Sequence, residues 1–347
     1  MLMLYRLSFK FISLSLLLYC PYAIAEKESV HAQSQETSYH GKHSEHNCME
    51  PKNDKDSLTN FRDKTHSMLC HAVRNIDSWF GQEEKFDGKS FGGKLILGFR
   101  HDEDKGFDPK IRVRIKARLP NVSKRLNAFI GRTDDEAYIR DSQISGIDSL
   151  RNDLRNEDAR WLIGLGYRNP NKTGFETSVG ARFSSGLQPY AKLRYRHYKE
   201  FGSLSSHFSQ TLFWQNDDGL GTTSNLQFSQ PLGENYLSTW SLGATYLKDT
   251  EIWETGSSLA LYKKLSSTTG ISLRTYIFGE SGDNSIVDVP EYGISLGYRQ
   301  PFIKPWLILK TQIENRWEHS DNNEPRESYA KLGVQLEMTF GKYKGKK

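Results

Sequence analysis

The sequence predicts an all-β chain, an antiparallel transmembrane β-barrel of about fourteen strands (about twelve to sixteen as bounds) preceded by one amphipathic helix. Three observations carry this. Ile111 to Leu119 reads IRVRIKARL, so Ile111, Val113, Ile115, Ala117 and Leu119 alternate with Arg112, Arg114, Lys116 and Arg118. Successive side chains on a strand point to opposite faces, which makes one face greasy and the other cationic; a helix would mix the two sets. The same period of two recurs almost throughout from Gly92 onwards, and no apolar run is long enough to span a bilayer as a helix. The connections also sort by length. PNVS, NPNKTG, EFG, PLGEN, SSTTG and QPFIKP fall on the even side, and the long segment 133–158, SGDNSIVDV and SDNNEP on the odd side. Short turns on one side and longer loops on the other mark a barrel.

The chain begins with Arg6 and Lys10, an apolar run from Phe11 to Leu18 and an A-x-A site at Ala23 to Ala25. This reads as a removable secretory signal over residues 1–25. Lys and Arg number 47 against 42 Asp and Glu, and losing Arg6 and Lys10 leaves 45 against 42. That near-balance in an exported chain argues against nucleic acid as a partner. A mean hydropathy of -0.66 looks soluble, but half of every barrel strand is polar and hides the membrane signal.

Residues 26–57 are polar, with few apolar side chains, and are expected to be disordered. They hold HGKHSEHNC, so His40, His43, His46 and Cys48 are candidate ligands for a transition metal. No finger spacing accompanies them, a solvated linker is the favoured reading, and no other cofactor is expected. Cys48 and Cys70 remain after signal cleavage, and an oxidising compartment permits them to form a disulfide. Over 58–81 the period changes to that of a helix, with Leu58, Phe61, Met68, Leu69, Ala72, Val73, Ile76, Trp79 and Phe80 largely on one face. Ser57 is the expected N-cap and Gly81 the stop. The helix must bury its stripe in the periplasm, over the barrel mouth or as a plug in the lumen. His66 and Cys70, one turn apart, are read as packing rather than as metal ligands.

The barrel is placed at 89–340, with strands at 89–102, 107–119, 122–132, 159–169, 173–185, 187–199, 202–216, 220–231, 235–249, 251–265, 269–281, 288–301, 304–318 and 325–340, followed by a basic tail at 341–347. The helix end IDSWFG, then FDPKIRVRIKARLP, FWQNDDGLG and the closing strand resemble a group of uncharacterised proteobacterial outer-membrane proteins, and more broadly Gram-negative outer-membrane β-barrels. The resemblance implies an outer-membrane barrel delivered by the barrel assembly machinery and implies no known activity. One departure is that GKYKGKK follows the aromatic Phe340. The expected location is the outer membrane of a Gram-negative bacterium, both termini periplasmic, with lipid and lipopolysaccharide around the wall.

The lumen face then carries a cationic track of Arg112, Arg114, Lys116, Arg118, Arg182, Lys192, Arg194, Arg196 and Arg299, against inward acids at Glu176, Glu314 and Glu337. A wet lumen lined with one sign of charge favours counter-ions. The expected function is a pore favouring small anionic solutes. The alternative is a closed barrel with a structural or surface-interaction role. The acidic segment 133–158 either folds into the lumen, bridges lipopolysaccharide through divalent cations, or is a solvated loop. A membrane-embedded lipid-modifying enzyme is the least favoured reading, because no G-x-S-x-G, H-E-x-x-H or Walker motif is present and no catalytic residue can be named.

Overall fold

The computed structural model describes residues 56–78, 91–118, 126–133, 136–141, 160–168, 173–183, 186–281, 288–319 and 325–341. The expected signal segment, the histidine-rich stretch with His40, His43, His46 and Cys48, Gly81 and the basic tail lie outside them. Among the described residues one helix, α1 (Ser57–Ser78), precedes fourteen strands: β1 (Phe91–Asp102), β2 (Gly106–Arg118), β3 (Leu126–Thr133), β4 (Arg160–Arg168), β5 (Gly174–Phe183), β6 (Leu187–Phe201), β7 (Leu204–Gln215), β8 (Gly219–Leu232), β9 (Tyr236–Leu247), β10 (Ile252–Lys264), β11 (Gly270–Ser281), β12 (Asp288–Phe302), β13 (Lys304–Glu318) and β14 (Glu327–Gly341). Each strand pairs antiparallel with its neighbours in sequence, and β1 pairs with β14 to close the barrel. Closure leaves no unpaired edge, which a strand needs if its backbone is to lie in hydrocarbon. Residues 122–125 of the expected third strand lie outside the described residues, and its described part runs from Leu126.

The register fixes inside and outside. Leu97, Phe99, Ile111, Trp161, Ile163, Leu165, Leu259, Ile277, Leu296 and Ile313 share one face and are exposed. The alternating set carries Arg100, Ser209, Thr211, Thr245, Ser258, Glu314 and Lys331, all buried. An apolar exterior around a polar interior is the arrangement that a bilayer stabilises and water does not. Loop lengths discriminate less than expected. The connections 103–105, 184–186 and 216–218 are as short as the even-numbered ones, so the odd side's surplus rests on 134–159, 282–287 and 319–326.

The lumen sector along β11–β14 is closed by ion pairs. Tyr276 Oη lies 2.7 Å from Glu291 and 2.9 Å from Glu314, and Lys331 Nζ donates to Glu314 at 3.3 Å. Arg316 reaches Asp104 at 3.2 Å and Asp102 at 3.5 Å and also pairs with Glu318. Nearer the chain ends, Lys94 and Lys310 clasp Glu337 at 2.8 and 2.7 Å. Charges so buried are tolerated because each has a partner.

Helix α1 starts at the expected cap, Ser57, so the cap itself falls one residue earlier. Asp56, not Ser57, does the capping: its Oδ1 accepts from Leu58 N at 3.2 Å, and Thr59 Oγ1 donates to its Oδ2 at 2.9 Å. Lys304 anchors the same carboxylate at 2.6 Å and holds it below the usual carboxylate range. The helix is not a plug. Cys70 packs with Ile115, Ala117, Leu307, Met338 and Phe340, all on the outward register, so α1 lies against the outer wall at the rim where β14 ends. The wall contact is made by Cys70 and not by the expected stripe, of which Leu58, Phe61 and Met68 stay exposed. Cys70 is disulfide-bonded, which rules it out as the metal partner of His66. Among the described residues no group of three His, Cys, Asp or Glu side chains is placed to hold a metal.

Candidate functional site

Strands β2 to β8 form the other lumen sector, and the described part of the connection between β3 and β4, residues 136–141, folds into it. A single π-helical turn at Glu136–Arg140 carries Tyr138 and Ile139 against the inner wall. Ile139 is buried with Phe129, Leu162, Tyr190, Phe213 and Leu247, contributed by strands from β3 round to β9. Tyr138 stacks on Phe129 with ring centroids 4.2 Å apart and meets Tyr190 edge-on at 6.2 Å. Inward glycines make room for this cluster: a Cβ at Gly164 would stand 2.3 Å from the Tyr190 hydroxyl.

Polar contacts pin the turn on both sides. Arg140 Nε donates to Gln215 Oε1 at 3.1 Å, and its guanidinium pairs with Asp218 at 2.9 Å. Lys192 Nζ donates to the Tyr138 carbonyl and sits 4.1 Å from the centre of its ring. Asp141 goes deepest. It pairs with Arg194, accepts from Thr211 Oγ1 at 3.1 Å and Ser209 Oγ at 3.3 Å, and its carbonyl accepts from Asn225 Nδ2 at 2.7 Å. Its φ of 55° is a left-handed conformation that Asp and Asn accept better than most residues. Of the three fates weighed for the acidic segment, its described part takes the first: it enters the lumen.

The expected cationic residues can now be placed. Arg112, Arg114, Lys116, Arg182, Lys192, Arg194, Arg196 and Arg299 all hold the inward register, while Arg118 ends β2 opposite Asn127 and its side chain lies outside the described residues. They are not one continuous track. Arg182 is buried beside the third connection's rim, donating to Gln188 at 2.9 Å and pairing with Asp217. Arg196 pairs with Glu176 at 2.7 Å, Arg168 meets the same carboxylate at 2.7 Å, and Arg194 lies 3.6 Å from it. Arg299 is across the lumen at the opposite rim, beside Lys310 in the register. Lys116 is exposed to the lumen and has no ion-pair partner among the described residues. Below Asp141 this leaves two adjoining spaces of about 150 and 130 Å³. Lys116, Arg168, Lys192 and Arg194 line the first, and Arg194, Arg196 and His207 the second. The carboxylates of Glu176 and Asp141 offset only part of that charge. Guanidinium groups in a recess out of bulk water suit a carboxylate, sulfate or phosphate.

The sequence reading missed Glu291 as an inward acid, although it keeps the period of two in β12. It also passed over Tyr138 and Ile139, an apolar pair inside an acidic loop and the available hint that this loop is buried. His207 also faces inward and lines the second space, a place the sequence reading does not assign to it.

No protein-family model matches the chain, and no curated protein does. Among solved structures it is similar to OmpT with loop L8 deleted, an outer membrane protein of Vibrio cholerae, at 17% identity and a TM-score of 0.44 over 72% of this chain and 98% of that one. It is similar also to an anion-selective porin from Comamonas acidovorans, at 11% identity and a TM-score of 0.41 over 72% and 98%. A KdgM porin in complex with disordered oligogalacturonate follows at 6% identity and a TM-score of 0.36, over 71% and 99%. At these scores the likeness says nothing about what this chain conducts or binds. The closed, antiparallel, apolar-out barrel itself makes this chain an outer-membrane-type β-barrel.

Proposed function

We propose that this chain is a pore of the Gram-negative outer membrane, narrowed by its third connection and favouring small anions. The observation that carries the reading is the recess at Lys116, Arg168, Lys192, Arg194 and Arg196, where inward cations outnumber the carboxylates of Glu176 and Asp141. An excess of one sign in a confined aqueous path raises the local concentration of the opposite ion. A purely structural lumen favours balanced pairs, as β11–β14 shows, and gains nothing from an exposed lysine with no ion-pair partner among the described residues. Both chain ends belong on the periplasmic side in this reading, so the recess opens inwards and the folded loop guards the outer mouth. Lys116→Glu tests it directly. The substitution should lower the chloride-to-potassium permeability ratio without changing barrel assembly; an unaltered ratio in a conducting variant refutes the role of the recess.

A further inference from the structure

Helix α1 rests on one face and leaves the apolar residues of the opposite face exposed. At about 100° per residue, Asp63, Ser67 and Cys70 lie on one side and Leu58, Phe61 and Met68 on the opposite side. Cys70 and Ser67 are buried, Cys70 against the outer wall, and Arg62 stacks over Trp306 with its guanidinium carbon 4.9 Å from the ring centre. Leu58, Phe61 and Met68 are 42, 55 and 66% exposed. The wall beneath the helix is the lower edge of the barrel's own apolar exterior. Ile115 and Ala117 continue the row of exposed Ile111, and Met338 and Phe340 continue that of exposed Leu332. A helix seated on a lipid-facing wall has the lipid itself on its far side.

We infer that α1 lies in the plane of the membrane at the rim where the chain ends emerge. It shields the β1–β14 closure and buries Leu58, Phe61 and Met68 among acyl chains of the adjacent leaflet. The partner is a phospholipid surface. Lys64, exposed on the flank of the apolar stripe, is placed to meet its phosphates. A helix of this kind adds an apolar cover to the closing strand pair without spanning the bilayer, and no helix among the described residues is long and apolar enough to do that. The inference rests on the barrel's place in a bilayer and is independent of conduction.

The test is the full chain, native disulfide intact, reconstituted in phosphatidylethanolamine and phosphatidylglycerol vesicles and carrying an environment-sensitive fluorophore at one introduced cysteine. Unsubstituted chain treated in the same way gives the background. Phe61→Cys and Met68→Cys probe the stripe, Lys64→Cys the flank, and Ile313→Cys the exposed barrel wall as the marker of insertion. Heat-modifiable migration certifies each variant as folded. Labels at 61 and 68 should emit to the blue of the label at 64 and lose several-fold intensity to spin-labelled lipid but little to aqueous iodide. If the label at 313 is quenched by lipid while those at 61 and 68 are quenched by iodide, the helix faces water; the inference falls and the barrel reading stands. If no label meets lipid, membrane placement itself fails. Self-quenching between labels at 61 that grows with protein-to-lipid ratio, without lipid quenching, assigns the stripe to a second copy of this chain and also overturns the inference.

Discussion

Asp141→Asn isolates the charge that holds the lumen loop. Asparagine tolerates the φ of 55° and keeps a side-chain oxygen for Thr211 and Ser209, so backbone strain and loss of acceptor are both avoided. What disappears is the pair with Arg194, whose partners have side chains 7 and 20% exposed. Breaking a buried pair costs about 3–5 kcal/mol. Arg194 keeps Glu176 at 3.6 Å and some water, which reduces the loss to roughly 2 kcal/mol, or about 30-fold in the ratio of folded-in to released loop. The loop carries tryptic sites at Arg140, Arg151 and Arg155. Where cleavage follows reversible opening, its rate in the intact barrel should rise by about the same factor. Channels of the variant should be larger and more anion-selective, because a negative charge has left the recess and Arg194 has been freed. Unchanged proteolysis and unchanged conductance together would refute the role given to Asp141.

Three further outcomes follow from the same contacts. Replacing Arg112, Arg114, Arg194 and Arg196 together with glutamine should reduce anion preference in bilayer recordings, and unaltered selectivity would count against the inward cations. Lys331→Met leaves Glu314 and Asp102 without their buried ammonium and should cost about 3 kcal/mol, read as a lower temperature for the heat-modifiable gel shift. Adding Glu314→Gln should restore part of it, and full additivity of the two would contradict the coupling. Burial against the wall pushes the His66 imidazole below its ordinary 6.5, with Asp63 opposing and Arg62 assisting. The undocked helix therefore binds the proton more readily. Docking is at full strength above about 6.5 and weakens as pH falls through the window beneath it. Amide exchange in α1, corrected for the intrinsic rate, should accelerate over that window in the native chain and not in His66→Gln.

Alternation made the barrel readable. A period of two is a local property, so Ile111 to Arg118, Trp161 to Tyr167 and the closing strand declared both their faces, and the inward place of Arg194 or Lys331 followed. Pairing across the lumen is not local. Arg194 and Asp141 stand on different elements of the chain, and nothing near either residue announces the other. The helix teaches a related lesson. Its stripe through Phe61 and Met68 reads as the face to be buried, whereas Cys70 on the opposite face makes the wall contact and the stripe stays exposed. Amphipathicity says that a face must be covered; only the fold says by what.

The most direct test of the central claim is the zero-current potential of single channels of the unmodified protein under a potassium chloride gradient. The sign that marks chloride as the more permeant ion, with selectivity weakening as salt screens the recess, is the predicted result. A potassium-selective channel, or a folded and inserted barrel that never conducts, would contradict it.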